Sequence, residues 1–462
     1  MINFNNEDTI VAIATAPGKS AIGIIRLSGN KAIDIVNPIF PSKNLALVES
    51  HTLHIGTIRT RQGNILDEVC LSVFRAPRSY TGENLVEISC HGSMFILNNM
   101  LELLVDLGAR PAEPGEFSFR AFMNKKLDLS QLEAVADVID AENKSAHSMA
   151  INQMRGGFSA QLKELREKLL NLASLFELEL DFGEEDVEFA TTDELNEIVG
   201  SIKQEVEKLT ASFKLGNVLK KGVAVVIAGR PNAGKSTLLN TLLNDERAIT
   251  SHIPGTTRDF IEDAVTIEGI EFRFIDTAGI TDAKDEIEQE GIKRTREKVA
   301  STDILIFLFD INKSTPAEVQ EDLMKLGSNS PIILAANKTD LINEEKLEHL
   351  KNEFSKANFA PIYLSSKFNQ HIDELKAALV EKLDLEAYRG DYSIVSNVRH
   401  YKLLIDIQSS LNEIQTAINA GLTKDLIAID IHKSLDLIGQ LTGSVSNEEL
   451  LGNIFGRFCI GK

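Results

Sequence analysis

Short runs of apolar and β-branched residues open the chain. Thr9–Thr15, Ala21–Leu27, Val69–Phe74 and Leu85–Cys90 are each bounded by Gly, Pro or Asn, the pattern of strands between turns. Lys31–Val36 and Phe95–Leu107 carry helical periodicity instead, so residues 1–120 predict an α/β unit. From Glu116 helical spacing takes over and runs to about Leu215, broken near Gly156-Gly157 and over Asp181–Asp193. Leu162, Leu165, Leu169, Leu172, Phe176 and Leu180 recur on one face, a stripe that predicts bundle packing. A second helical block spans about Leu383–Phe458.

Between the two helical blocks, strands and helices alternate. Val223–Ala228, Ala264–Ile267, Phe272–Ile275, Ile304–Phe309, Ile332–Ala335 and Ile362–Leu364 read as strands, with helices such as Glu286–Val299 and Glu318–Leu326 among them. That order predicts a mostly parallel, doubly wound sheet binding ligands at the C-terminal ends of its strands. Neither helical block offers a two-sided core alone, so the economical reading is one helical domain, residues 121–215 and 383–462, with an α/β domain, 216–382, inserted.

Composition narrows the classes. At 462 residues the chain exceeds one core, and 43% hydrophobic with 25% charged residues is ordinary for a globular protein. No charged-then-apolar leader and no bilayer-length apolar run is visible, so the expectation is cytoplasmic. Cys70, Cys90 and Cys459 are too dispersed for a disulfide framework or zinc ribbon. A net charge of −20 excludes non-specific coating of nucleic acid and confines any RNA contact to a local groove or a partner.

The chemistry gathers in the inserted domain. Gly229-Arg-Pro-Asn-Ala-Gly-Lys-Ser236 fits G-x-x-x-x-G-K-[ST] between a strand and a helix, where backbone amides and a helix N-terminus can cradle phosphates. Asn232, Ala233, Gly234, Lys235, Ser236 and Thr237 are the binding residues there. Lys235 would reach the β- and γ-phosphates, and the Ser236 hydroxyl would ligate Mg²⁺. Asp276, Thr277, Ala278 and Gly279 follow a strand and bring a carboxylate near the Mg²⁺ shell. Asn337-Lys338-Thr-Asp340 follows another; the Asp340 carboxylate can accept from guanine N1 and its 2-amino group, which adenine cannot offer. Ser365, Ser366 and Lys367 would give backbone donors to guanine O6. With Gly255-Thr256-Thr257 between the first two motifs, their common order and spacing identify a GTP site.

The cassette resembles the translation-factor-like GTPases in which the residue after Asp-x-x-Gly is hydrophobic, here Ile280, so another group must orient water. Members with Asn at position 232 are similar in using K⁺, ligated by that Asn and by first-switch residues, here Ser251, Ile253 and Thr256, with Thr257 on Mg²⁺. The other reading of Asn232 is a loop-stabilising hydrogen bond. Further motifs are spread along the chain: Gly23-Ile-Ile-Arg26-Leu-Ser-Gly29, Thr81-Gly-Glu-Asn-Leu-Val-Glu87, His91-Gly92, Pro114–Phe122, Asn124–Leu129 and Cys459-Ile-Gly-Lys462. With them the chain resembles, over nearly its whole length, the MnmE (TrmE) family of tRNA-modification GTPases.

That resemblance implies an N-terminal tetrahydrofolate-binding, dimerising domain, a discontinuous helical domain and an inserted Ras-like GTPase domain. It implies Arg26, Glu87, Lys126 and Lys462 as folate-binding residues and Glu288 as the water-orienting acid. Taken singly, Arg26 and Glu87 read as solvent-face residues of strands, and Glu288 as an acid at an exposed helix start. Cys459, a small buried hydrophobe by residue type alone, becomes by resemblance a thiol of the tRNA-modification step. Ser446-Asn-Glu-Glu449 reads as the capping box of a final helix. Two departures stand out: Ser251-His-Ile-Pro replaces a Thr-Asp ahead of Gly-Thr-Thr, and His91-Gly-Ser93 replaces His-Gly-Gly.

The implied activity is GTP hydrolysis, activated by K⁺-dependent dimerisation of the GTPase domains. It is coupled, in a homodimer, to addition of an aminomethyl or carboxymethylaminomethyl group at C5 of the tRNA wobble uridine. A 5,10-methylene- or 5-formyl-tetrahydrofolate would supply the carbon, and the FAD-dependent partner would be of the MnmG (GidA) type. The competing class is a K⁺-stimulated switch for ribosome or RNA assembly, against which stands the lack of a basic RNA-binding module.

Overall fold

A computed structural model describes residues 8–181, 191–245, 262–275, 302–327, 330–383, 394–445, 451, 454–456, 458 and 461. The chain divides into two compact units, one drawn from 1–139, 153–198 and 410–462, the other from 140–152 and 199–409.

The first unit holds a six-stranded sheet in the order β3-β4-β5-β2-β1-β6. Its strands are β1 (Ile10–Ile13), β2 (Ile22–Ser28), β3 (Thr52–Arg59), β4 (Ile65–Phe74), β5 (Leu85–His91) and β6 (Arg110–Pro111). All pairings are antiparallel except β1 with β6. Alternation along each strand sorts the side chains. Ile25, Leu27, Val69, Leu71, Val73, Val86 and Ile88 face inward against Ala32–Val36 and Met94–Asp106, two helices whose apolar sides complete that core. The other face is more open: Leu53 is 62% and Ile55 73% exposed. The pattern reading lacked β3 and the two-residue β6: in β3 Leu53 and Ile55 lie on this face and Ile58 alone is buried, which leaves no core-facing run to recognise.

Helix Glu116–Met123 anchors its own start by burying ions together. Glu116 is fully buried and accepts from Arg110 Nη2 at 2.6 Å and from Arg120 Nη2 at 3.1 Å, and Arg120 also meets Glu83 Oε2 at 3.1 Å. Such charges are tolerated inside only because each is paired. The expected helical stripe forms: Leu162, Leu165, Leu169, Leu172 and Phe176 of Gly157–Asp181 are all buried, and Lys424–Thr442 packs along that helix. Phe455 is buried with Leu129, Leu132 and Leu451, its ring edge-on to Phe119 at 5.4 Å. The predicted cap at Ser446–Glu449 and the side chain of Leu180 lie outside the described residues.

The second unit carries the sheet β12-β11-β10-β7-β9-β8, formed by β7 (Val223–Ala228), β8 (Glu262–Ile267), β9 (Ile270–Ile275), β10 (Ile304–Asp310), β11 (Ile332–Asn337) and β12 (Ile362–Tyr363). Only β8 runs antiparallel to its neighbour. β7 and β10 are buried at every residue, as expected for central strands covered on both faces. Lys235–Asp245 and Ile372–Glu381 bury Leu238, Leu242, Leu375 and Leu379 on one side; Pro316–Leu326 and Glu344–Lys356 bury Val319 and Phe354 on the other. Helix Thr192–Lys221 continues beyond Leu215, where sequence periodicity placed its end. Val218 and Leu219 join the core of this unit, and the helix stops at Gly222 with φ +80°.

Helix Pro316–Leu326 starts with a full capping box, Thr315 Oγ1 accepting from Glu318 N and Glu318 Oε2 from Thr315 N at 2.9 Å. The Thr315 amide, then Arg230, hold the Glu318 carboxyl down at about 2, against an ordinary 4.5. Because the folded value is the lower one, this stabilisation is complete above pH 4.5 and is lost as pH falls from there toward 2. In an acid titration followed by NMR, the amides of this helix start should loosen across that window, and Glu318→Gln should loosen them already at neutral pH. Amides that stay ordered to pH 2 in the parent chain would sink this.

Candidate functional site

β7 delivers the phosphate loop at the C-terminal edge of its sheet. Gly229 leaves the strand at φ +150°, and a Cβ there would overlap the Leu308 carbonyl oxygen of neighbouring β10. Gly234 turns the chain into the helix at φ +104°, where a Cβ would run into Asn337 Nδ2. Between them Asn232 holds a left-handed φ of +61°. The loop is tight because strand, base loop and helix start all converge on it.

Lys235 is 6% exposed and donates from Nζ to the Gly229 carbonyl at 2.7 Å and the Arg230 carbonyl at 3.1 Å. Burial lowers its pKa, an electrostatic cost that a phosphate beside it would relieve. Ser236 and Thr237 stand exposed in the first turn of the following helix. Arg230 is fixed from outside the loop: its Nε meets Asp322 Oδ2 at 2.7 Å and its Nη1 meets Glu318 Oε1 at 3.1 Å.

The base loops are wired to this turn. Asn337 donates from Nδ2 to the Ala233 carbonyl at 2.8 Å, while its Oδ1 accepts from Lys338 N at 2.8 Å and Ser366 N at 3.0 Å. Lys338, itself at φ +69°, reaches the Asn232 carbonyl at 2.7 Å. Ser365 Oγ donates to Asp340 Oδ1 at 2.6 Å, and the Ser365 amide to the Gln370 carbonyl at 3.1 Å. Thr241 Oγ1 ties the helix to the Ser366 carbonyl at 2.7 Å. Lys367 is exposed, its ammonium 5.2 Å from the Phe368 ring centroid.

In the first unit the strand register brings together two charges that stand far apart in sequence. Arg26 on β2 faces Glu87 on β5. Arg26 Nη2 and Nε reach Glu87 Oε1 at 2.8 Å and 2.9 Å, leaving Oε2 to another donor. The guanidinium lies 5.5 Å from the Tyr80 ring and 5.7 Å from that of Phe117, and Nη1 donates to the Gly461 carbonyl at 3.1 Å. Lys126 Nζ donates to Pro77 O at 3.1 Å, in the loop that leads to Tyr80. On the same sheet His91 Nδ1 meets Asp67 Oδ1 at 2.8 Å. Burial and then Asp67 push the Cys90 thiol up to about 11, so it stays protonated and packs as an apolar group.

The remaining predicted residues, Ser251, Ile253, Thr256, Thr257, Asp276, Thr277, Ala278, Gly279, Glu288, Cys459 and Lys462, lie outside the described residues. Arg230, Tyr80, Phe117 and Asp310, all in contact with the sites, were not singled out by the sequence reading. Tyr80 carried one usable signal, its place directly before Thr81-Gly-Glu83. Arg230 and Phe117 lie inside the motifs Gly229–Ser236 and Pro114–Phe122 at positions with no mark of their own, and Asp310 directly follows the strand run Ile304–Phe309.

Two family models account for most of the chain. That of the GTP-binding protein TrmE N-terminus matches residues 9–126, and that of the MnmE helical domain matches residues 129–459. The chain belongs to the MnmE family. Similar proteins named tRNA modification GTPase MnmE come from Cytophaga hutchinsonii and Christiangramia forsetii. The first is 49% identical, covering 99% of this chain and 98% of its own. The second is 49% identical, covering 99% of each. The relative from Bacteroides fragilis, with the same name, is 46% identical over 99% of this chain and 100% of its own. Within the MnmE family pattern, this chain thus combines a phosphate loop on a doubly wound sheet with an antiparallel N-terminal sheet bearing a paired Arg and Glu. Among the described residues, no helix is long and apolar enough to cross a membrane.

Proposed function

We propose that the chain is a GTP hydrolase of tRNA modification that works with a flavin-dependent partner of the MnmG (GidA) type. Together they add an aminomethyl or carboxymethylaminomethyl group to C5 of the wobble uridine in certain tRNAs. The coarse activity rests on family membership, at 49% identity over 99% of the chain. The observation that carries the finer reading is the Arg26 hydrogen bond to Gly461, which joins the Arg26–Glu87 pair to the segment containing Cys459.

A tetrahydrofolate derivative would supply the one-carbon unit. The donor set suits it: Glu87 can accept from pterin N–H groups, Arg26 and Lys126 suit its carbonyls and carboxylates, and Tyr80 and Phe117 offer apolar rings. Lys462 would join them. The exposed Leu53 and Ile55 on the open face of the same sheet support an N-terminal homodimer.

In the GTPase domain Lys235 and the loop amides would hold the phosphates. Ser236 and Thr257 would hold Mg²⁺ with the Asp276 carboxylate near its shell, and Asn232 with Ser251, Ile253 and Thr256 would hold K⁺, whose charge would serve in place of an arginine finger. Asp340 would select guanine, and the Lys367 amide would serve O6, since those of Ser365 and Ser366 are already engaged. Glu288 would orient the attacking water once the switches of two GTPase domains meet.

The test is nucleoside mass spectrometry of digested tRNA from cells whose only copy carries Cys459→Ser, beside the GTPase rate of the purified variant. The modified wobble nucleoside should disappear while hydrolysis persists. If deleting the whole protein left the nucleosides normal, the assembly-switch reading would replace this one.

A further inference from the structure

Asp310 closes β10 and belongs to none of the nucleotide motifs. The residue is 8% exposed, and its two oxygens serve different partners. Oδ2 accepts from Lys338 Nζ at 2.9 Å; Oδ1 accepts from the Asn312 amide at 3.0 Å and from Asn312 Nδ2 at 3.3 Å. Asn312 Nδ2 also donates to the Lys338 carbonyl at 3.2 Å, so the lysine is held at both its backbone and its ammonium. From there Lys338 Nζ reaches the Asn232 carbonyl at 2.7 Å. An unbroken line of contacts runs from the sheet to the crown of the phosphate loop.

We propose that Asp310 is a positioning residue for nucleotide binding, acting through Lys338 to hold the turn at Asn232 whose amides serve the phosphates. The inference rests on the GTP-site reading above. Asn232 sits at φ +61° and Lys338 at φ +69°, left-handed conformations that are unfavourable for a non-glycine residue and persist where contacts impose them. The Asn232 carbonyl is held by Lys338, and the Ala233 carbonyl by Asn337. Two adjacent carbonyls of the phosphate loop are therefore fixed by two adjacent residues of the base loop. A neutral carbonyl alone competes poorly with water for an ammonium that is 28% exposed; the Asp310 carboxylate keeps it inside.

Geometry makes the carboxylate hard to replace. Asp310 accepts on both oxygens, from Lys338 on one side and Asn312 on the other. An asparagine there can satisfy only one side and turns its NH₂ toward the donor on the other. The ammonium is then released or repelled, and the tie to Asn232 goes with it.

The experiment uses the full chain and its variants Asp310→Asn, Lys338→Met and the double mutant, with GMP and GDP competing against a fluorescent GDP, alongside thermal melting. Because the clamp acts on the phosphate loop, Asp310→Asn should weaken GDP binding about tenfold, mainly through faster release. GMP, which lacks the β-phosphate, should lose much less, so the gap between the two nucleotides narrows. In the Lys338→Met background Asp310→Asn should cost nothing further. Unchanged GDP affinity, equal losses for GMP and GDP, or additive losses in the double mutant would each overturn the clamp. A lower melting temperature with an unchanged GMP-to-GDP gap would also reduce Asp310 to a packing role. A parent chain with no preference for GDP over ADP would overturn the GTP-site reading itself, a failure visible before any variant is made.

Discussion

Asp340→Asn is expected to weaken GDP and GTP binding by about a hundredfold or more, and to bring xanthosine diphosphate into the site in their place. Each hydrogen bond between a carboxylate and a guanine N–H is worth about 1.5–3 kcal/mol, and two are lost. The surroundings dictate which way the new amide turns. Ser365 Oγ donates to Asp340 Oδ1 at 2.6 Å, so an asparagine keeps its oxygen toward Ser365 and aims its NH₂ at the base. Donor then meets donor on guanine, whereas xanthine presents a carbonyl at the same ring position. Competition of GDP and xanthosine diphosphate against a fluorescent nucleotide reads the switch. A variant that still preferred guanine would mean that Asp340 does not face the base.

The second large effect is one of stability. Gly229→Ala should destabilise the second unit by about 3 kcal/mol or more, combining a strained backbone with an overpacked site. At φ +150° an L-residue is already unfavourable, and its Cβ would overlap the Leu308 carbonyl, backbone that cannot swing aside without unpairing β10. Gly327→Ala is the control. That glycine is also left-handed, at φ +59°, yet nothing lies within 4 Å of its Cβ position, so about 1 kcal/mol is expected there. Urea unfolding with and without GDP compares the two; equal losses would remove the steric argument.

The contrast between those two glycines shows what a sequence can carry. G-x-x-x-x-G-K-S announces the phosphate loop because a strand, tight turns and a helix start leave few residue types acceptable at fixed spacing. The parallel sheet of the second unit was legible for a related reason, since strands buried on both faces are apolar along their length, as β7 is throughout and β10 is up to Phe309. β3 was not, because Leu53 and Ile55 point to the open face. Arg26 and Glu87, 61 positions apart, looked like separate solvent-facing charges until β2 and β5 came into register. Asp310 and Lys338 are 28 apart, on successive strand ends, and only the parallel pairing of β10 with β11 sets Asp310 opposite Asn337. What periodicity and motif spacing miss is partnership across strands, which depends on register and not on composition.

The hydrogen bond from Arg26 to Gly461 spans 435 positions. A ribosome makes the chain in one direction, so β1 to β6 are complete while most of the second unit and the helix Lys424–Thr442 have still to be translated. In the nascent N-terminal sheet Arg26 can already pair with Glu87, but its Nη1 waits for the Gly461 carbonyl, and Phe119 waits for Phe455. A contact made across so many positions is made late. No fragment ending before Phe455 carries either contact, however well its sheet has folded.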